Sequence, residues 1–331
     1  MSRGAMKPSE LNVSNDAASG RHGKRATARA IVTDAASRQP ERVLRAATSL
    51  ICLLLIGLML TAAWLLILRH DWHGALDIVG ATLSSSVFWT AVAVGLFAQI
   101  VDGALGMAYG VTASTFLMAT GASPAAASAS VHIAEIFTTG VSGISHARIG
   151  NVDKRLFVRL VAPGVAGAIL GAVVVTQIDG AMLKPFVSTY LLLLGVYIVY
   201  KAIRQARRRV RAPAHVGKLA LTGGFLDTVG GGGWGPVVTS TLIGAGNDPR
   251  KTIGSVSLAE FFVALAGAAS FLLLMETNTW MIIAGLVMGG AIAAPFAALV
   301  CARLSARVLM LLVGVLIGVL SVFNLYQAIY I

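Results

Sequence analysis

Two stretches decide the fold of this chain: VDGALGMAYGVTASTFLMATGASPAAASASVHIAEIF, residues 101–137, and LDTVGGGGWGPVVTSTLIGAGNDPRKTIGSVSLAEFF, residues 226–262. The second stretch repeats the first 125 positions later without a gap, so that Asp102 corresponds to Asp227. Both copies place acids and helix-breaking glycines inside apolar sequence, where an ionised carboxylate is costly. Duplicated halves with interrupted helices and intramembrane acids are typical of secondary transporters. Further matched pairs are Gly106/Gly231, Gly110/Gly235, Gly121/Gly246, Pro124/Pro249, Ser130/Ser255 and Glu135/Glu260.

The composition is that of an integral membrane protein. Hydrophobic residues make up 56% of the 331 residues and charged residues 12%, whereas a soluble domain has about 25% charged residues. Short alternating strands of the β-barrel type are not seen in the sequence, so we predict an all-α polytopic membrane protein. The apolar runs that approach the length of a spanning helix are Leu50–Leu68, Leu156–Val175, Phe186–Tyr200, Ile253–Met275, Trp280–Cys301 and Val308–Tyr326.

The whole chain has a net charge of +12, and its positive charge is concentrated in two stretches. Residues 1–48 contain nine Lys/Arg and four acids, and Lys201–Lys218 contains seven basic residues and no acid. Basic segments beside apolar helices mark the cytoplasmic side of a membrane, so we expect a topological role and no nucleic-acid partner. Residues 1–48 lack apolar periodicity and are predicted to be disordered. Cys52 and Cys301 have neither a disulfide nor a metal-ligand spacing.

Glycines interrupt the apolar sequence within residues 87–120 and again at Gly230–Gly233. Each interrupted segment could be one crossing helix or a hairpin that enters the membrane and returns. The hairpin is favoured because Val111–Ala119 is too short to span and because four glycines followed by Pro236 cannot continue a helix cheaply. With re-entrant hairpins each repeat crosses three times, and the basic loops then fall on one side of the membrane.

An odd number of crossings inverts the second repeat relative to the first. The predicted fold is therefore two inverted repeats, each a glycine-broken re-entrant hairpin plus three spanning helices, preceded by one extra N-terminal helix. The predicted segments are a basic cytoplasmic arm at 1–48, an extra transmembrane helix at 49–69, repeat 1 at 85–201, a basic cytoplasmic loop at 202–217 and repeat 2 at 218–328.

The two glycine-rich breaks are candidates for binding an anion. A broken helix leaves backbone N–H groups without partners and a partial positive charge at its new N-terminus. The alternative is that the glycines only permit close helix packing, and Tyr109 and Trp234 could line a cavity or act as packing wedges. The predicted substrate-binding residues are Gly103, Gly106, Tyr109, Gly110, Ser130, Gly230, Gly231, Gly232, Gly233, Trp234 and Ser255.

Four acids and one histidine are candidates for proton coupling. Glu135 and Glu260 lie mid-helix, where a carboxylate must be neutral or paired, and could instead form an interhelical hydrogen-bond clasp. Asp102 and Asp227 precede the breaks and could exchange protons, bind a cation or cap the following helix. His132 has no histidine counterpart in the second repeat and could be structural or titrating. We predict no metal site.

Three shared features carry a resemblance to a known family. They are the Asp before each glycine-rich break, the G-x-x-P turns at Gly121–Pro124 and Gly246–Pro249, and the S-V-x-x-A-E helices at 130–135 and 255–260. The duplicated unit resembles the sulfite exporter TauE/SafE family, also called the toluene sulfonate uptake permeases, over about residues 85–328. The resemblance implies a cytoplasmic-membrane carrier, without ATP, for sulfite, organosulfonates or carboxylate anions. The first break has fewer glycines than the second, so the two anion sites could be unequal.

These observations predict a secondary transporter of small oxyanions that works by proton-coupled alternating access. A membrane-embedded enzyme is disfavoured because the acids and the histidine come with no nucleophile or cofactor motif. A channel, or a structural subunit of a larger complex, is a further alternative. The expected partners are a small anion and the lipid bilayer, no cofactor is expected, and a homo-oligomer is left open. We expect a multi-pass protein of the cell membrane with a cytoplasmic N-terminus.

Overall fold

The computed structural model describes residues 49–58, 60, 61, 64, 68, 73–204, 215–276, 279–303 and 306–330. The arm predicted at 1–48 and most of the loop predicted at 202–217 lie outside these residues. Every regular element within the described residues is helical, as predicted. The helices are α1 Ser49–Leu58, a stretch at 73–84, α2 Ser86–Leu105, α3 Tyr109–Ala119, α4 Pro124–Arg148, α5 Lys154–Gln177, α6 Gly180–Ile203, α7 Val216–Gly230, α8 Gly235–Gly244, α9 Pro249–Leu274, α10 Trp280–Arg303 and α11 Ala306–Tyr330.

Several helices have the length and hydropathy of membrane spans. Among the described residues, the segments that qualify are Ser86–Gly103, Lys154–Gln177, Gly180–Ile203, Pro249–Leu274 and Met310–Tyr330. The chain is therefore an all-α, multi-pass membrane protein. Of the extra helix predicted at 49–69, α1 covers the first part, and its Ile51 is fully buried beside Gly140 of α4.

The helix bounds follow the sequence duplication. α4 and α9 begin at positions related by the 125-residue offset, and α5/α10 and α6/α11 begin within one residue of it. The turns before α4 and α9 have the same chemistry in both halves. Gly121 and Gly246 have positive φ angles of 100° and 95°, which glycine adopts readily. Ser123 and Asp248 then accept the backbone N–H three residues later, and a proline occupies the first helical position.

The two halves pack on each other reciprocally. α2 packs on α10 and α7 packs on α5, while the corresponding helices α4 and α9, and also α6 and α11, pack on each other. A two-fold relation between the halves produces this exchange of partners, and the inverted orientation stays a prediction. Glycines allow the close approach, because a side chain at Gly167 of α5 would overlap the backbone of Leu221 in α7, and one at Gly289 of α10 that of Val92 in α2.

Candidate functional site

The first break separates α2 from α3. Gly106 ends α2 in the left-handed conformation, with φ 64°, and donates its N–H to the carbonyl of Asp102. Gly103 lies in the last turn of α2 and is half-buried. Ala108 has φ 91°, which among the described residues is the one positive φ outside glycine. Such a conformation costs about 1–3 kcal/mol and persists only where the surrounding structure holds it.

The second break separates α7 from α8 and uses the same cap. Gly231 has φ 64° and donates its N–H to the carbonyl of Asp227, and Gly232 donates to the same carbonyl at 2.8 Å. α8 then begins with a π-helical turn that contains Pro236. The matched glycines Gly106 and Gly231 therefore serve one backbone purpose in both halves, which is to stop a helix with a left-handed residue.

The two breaks lie against each other, backbone to backbone. A side chain at Gly232 would overlap the backbone of Gly110 and Val111, and a Cβ at Gly235 would lie 2.6 Å from Cα of Met107. The hydroxyl of Thr239 donates across the contact to the carbonyl of Gly106, at 3.3 Å. Close packing is thus a direct reason for these glycines. The breaks, from opposite halves of the sequence, form one buried centre.

Asp227 closes the second break with its side chain. Its Oδ1 accepts the backbone N–H of Trp234 at 2.9 Å, so the carboxylate caps the helical turn that follows the break. Its Oδ2 faces Nε2 of His132 at 3.3 Å. In the first break the backbone N–H of Tyr109 lies near the Asp102 carboxylate. Capping, one of the alternatives for these residues, is what the geometry provides for Asp227.

His132 of α4 is held in one orientation by its own helix. Its Nδ1 lies 2.8 Å from the carbonyl oxygen of Ser128, which can only accept, so Nδ1 carries a proton. Nε2 faces Asp227, with the hydroxyl of Thr228 at 3.4 Å. If the ring were neutral and the carboxylate ionised, Nε2 and Oδ2 would be two hydrogen-bond acceptors that face each other. The two side chains are therefore placed so that one further proton would join Nε2 to Oδ2.

Glu135 and Glu260 complete a group of four buried carboxylates. Glu135 is 1% exposed and its Oε2 has no hydrogen-bond donor, while its Oε1 lies 2.7 Å from the position of a Cβ at Gly110. Glu260 is 7% exposed and lies within electrostatic range of the other three acids. Among the described residues, His132 is the base that forms an ion pair with this group. Four ionised carboxylates would repel one another strongly at low dielectric, so protons must neutralise part of the group.

The same atoms are spaced closely enough for a cation. One ligand atom each from His132, Glu135 and Asp227 lies within 4.8 Å of the others. No local sequence pattern indicated this cluster, because its three residues come from both repeats.

Comparisons with known proteins agree with this architecture. The family model described as "Sulfite exporter TauE/SafE" matches residues 91–324, which contain both breaks and both long central helices. The chain belongs to the TauE/SafE family. It is 44% identical over 234 residues to "Probable membrane transporter protein YtnM" of Bacillus subtilis (strain 168), covering 68% of this chain and 77% of that protein. No solved structure matches the chain. Membership makes this TauE/SafE chain a membrane transporter and not an enzyme.

Two predicted substrate-binding serines of this TauE/SafE protein lie in links between helices. The hydroxyl of Ser130 donates to the carbonyl of Ala126 and lies 2.7 Å from the hydroxyl of Thr279, just before α10. The hydroxyl of Ser255 accepts the backbone N–H of Asp153, just before α5, at 2.7 Å. The two links occupy corresponding places in the repeats. In this conformation neither serine has a described hydrogen bond to the carboxylate group.

The two matched aromatic residues are fully packed. The Tyr109 hydroxyl donates to the carbonyl of Leu286 at 3.2 Å, and Trp234 Nε1 donates to the carbonyl of Val256 at 3.2 Å. Leu286 lies in α10 and Val256 lies in α9, and both rings are at most 2% exposed. Of the two roles considered for these residues, packing wedge is the one they have in this conformation.

Sequence reasoning missed Tyr190 of α6. A Cβ at Gly230 would lie 2.5 Å from Cε1 of this ring, and a Cβ at Gly233 would overlap its hydroxyl. The hydroxyl also lies 3.5 Å from the carbonyl oxygen of Gly232. Two of the glycines that were predicted to bind an anion, Gly230 and Gly233, thus make room for an aromatic ring. The position 125 residues later is Val315, so the duplication carried no signal for Tyr190.

Proposed function

We propose that this TauE/SafE chain is a secondary transporter of small oxyanions, such as sulfite, an organosulfonate or a related sulfur-containing or carboxylate anion, in the cell membrane. The family description and the name of the Bacillus subtilis relative support transport by a protein of this kind. Coupling to protons and alternating access are part of the proposal, as is a cytoplasmic N-terminus.

The observation that carries the proposal is the contact between the two breaks inside a group of ionisable side chains. Backbone N–H groups at interrupted helices suit oxyanions, as in other transporters built from broken helices. A side chain at Gly110 would meet both Glu135 and the carbonyl of Gly231, so the first break, the second break and an acid converge at one place.

Proton coupling follows from the charge of this centre. Four carboxylates oppose an anion, so an oxyanion can enter only if the centre gains protons with it or has gained them before. His132, Asp227, Glu135, Glu260 and Asp102 are the groups available in the described residues. Anion and proton would then move in the same direction.

Alternating access requires the centre to open to each side in turn. The paired links, Ser130 with Thr279 and Ser255 with Asp153, are the proposed closures, because each joins a long central helix to the start of a helix in the other half. Ser130 and Ser255 remain in the proposed substrate-binding set on the condition that these links open during the cycle.

Flux into proteoliposomes tests the proposal. Purified protein should catalyse saturable uptake of sulfite or methanesulfonate that accelerates when the side of entry is made acidic, compared with protein-free vesicles. Non-saturable flux that ignores a pH gradient would indicate a channel. A thermal-shift screen identifies the anions that bind the protein. If none of these anions is transported, the result would indicate a structural subunit.

A further inference from the structure

One residue uses most of the backbone donors in the second break. The carbonyl of Asp227 accepts the N–H groups of Gly231 and Gly232, and its carboxylate Oδ1 accepts that of Trp234 at 2.9 Å. Of these three donors, the Trp234 N–H lies at the start of the following helix and is the one that this helix would offer to a bound anion. The position is therefore filled by a carboxylate that belongs to the protein.

The second carboxylate oxygen is poised to receive a proton. Oδ2 of Asp227 is buried and has no hydrogen-bond donor of good geometry, and Nε2 of His132 lies 3.3 Å away. The ring cannot turn freely, because Nδ1 is held by the carbonyl of Ser128 at 2.8 Å. A proton placed on Oδ2 would convert Asp227 from an anion into a neutral carboxylic acid.

We propose that Asp227 occupies the oxyanion position of the second break, and that the transported anion displaces it from the Trp234 N–H as Asp227 takes up one proton through His132. This inference rests on the proposed function and specifies its coupling. An O–H bond forms at Oδ2, one proton is consumed from solution by way of the imidazole, and no other bond changes. The site thus exchanges an internal carboxylate for an external oxyanion at constant net charge.

The groups that face Asp227 favour this exchange. Glu135 of α4 and Glu260 of α9 lie within electrostatic range of Asp227, and the Tyr190 hydroxyl of α6 lies against Gly232. Asp102 of α2 acts on both glutamates. An anion that entered beside an ionised Asp227 would add one negative charge to this group of acids. An anion that replaces Asp227, once Asp227 is protonated, leaves the net charge of the centre unchanged.

The first break has no histidine to correspond to His132. Asp102 holds the place that Asp227 has in the second break and lies near the backbone N–H of Tyr109. However, the residue that corresponds to His132 in the second repeat is Ser257, which cannot deliver a proton at neutral pH. Asp227→Asn should therefore remove the coupling of anion to proton. The control is Asp179→Asn, an exposed residue outside the centre whose side chain accepts the N–H of Ala181 at the start of α6, and it should leave the coupling intact.

The experiment counts protons taken up per bound anion. Methanesulfonate is the probe, because its charge is fixed over the working pH range and any pH dependence belongs to the protein. Purified protein in weak buffer is titrated with methanesulfonate while an indicator dye reports pH, and affinity is measured by thermal shift at several pH values. Wild type should take up about one proton at Asp227, and its affinity should rise on the order of tenfold for each unit that pH falls.

Asp227→Asn keeps an oxygen for the Trp234 N–H and gives an amide N–H to His132, so the variant should remain folded. Its proton count should be lower than that of wild type by about one, and Asp179→Asn should match wild type. An equal count in Asp227→Asn and wild type overturns the inference, as does an equal fall in both variants. If Asp227→Asn does not fold, wild-type protein alone tests the inference, and uptake of no proton per bound anion overturns it. Failure of wild type to bind methanesulfonate, sulfite and small carboxylates would instead sink the proposed function.

Discussion

Replacing Gly232 with alanine should destabilise the protein strongly, because this glycine is where the two breaks touch. The added Cβ would overlap the backbone of Gly110 and Val111, and no side-chain rotation can relieve a clash with backbone. Overpacking of a dense core costs about 1–3 kcal/mol. The positive φ of 155° at this position adds about 1–3 kcal/mol for a residue with a side chain. The expected loss is about 2–6 kcal/mol, a large part of the stability of an ordinary protein.

Gly244→Ala is the control for this change. Gly244 lies in α8, the helix that follows the same break, and a Cβ there would meet nothing within 4 Å. Alanine favours helix over glycine by about 0.5–1 kcal/mol, so the control should be as stable as wild type or slightly more stable. Thermal unfolding of the detergent-solubilised variants, followed by the fraction that stays monodisperse after heating, gives the comparison. Equal unfolding midpoints for Gly232→Ala and Gly244→Ala would show that the breaks do not pack on each other. The proposed transport site and the proposed proton exchange at Asp227 would then have no structural basis.

Two further changes probe the ionisable group. Glu260→Gln should stop or uncouple pH-driven uptake into proteoliposomes while the protein stays folded, because glutamine keeps the shape but cannot carry a proton; an unchanged pH dependence removes Glu260 from the mechanism. His132→Ala should lower the free energy of unfolding by about 3–5 kcal/mol, since it leaves Asp227 without its partner, and Asp227→Asn in the same chain should recover part of that loss. If the two changes lower stability additively in a double-mutant cycle, His132 and Asp227 do not interact.

The sequence by itself determined the helical membrane class, the duplication and the location of both breaks. These features depend on local properties: apolar length, the freedom of glycine to take a positive φ at Gly106 and Gly231, and the proline that starts α4 and α9. The family could be recognised for the same reason, because its motifs are short and contiguous. The caps at Ser123 and Asp248, which the structure shows, depend on local chemistry of the same kind.

Only the tertiary structure decided which side chains meet. His132 and Asp227 lie 95 positions apart in sequence, and their contact depends on how α4 packs beside the end of α7. Tyr190 fills the space beside Gly230 and Gly233 because α6 happens to pass there, which no local pattern encodes. The structure also shows two separate reasons for glycine in the breaks. Gly106 and Gly231 end helices with a positive φ, whereas Gly232 and Gly235 allow backbone-to-backbone packing. Local sequence fixes conformation through the chain's own sterics, whereas partners across the core are fixed by packing of surfaces distant in sequence.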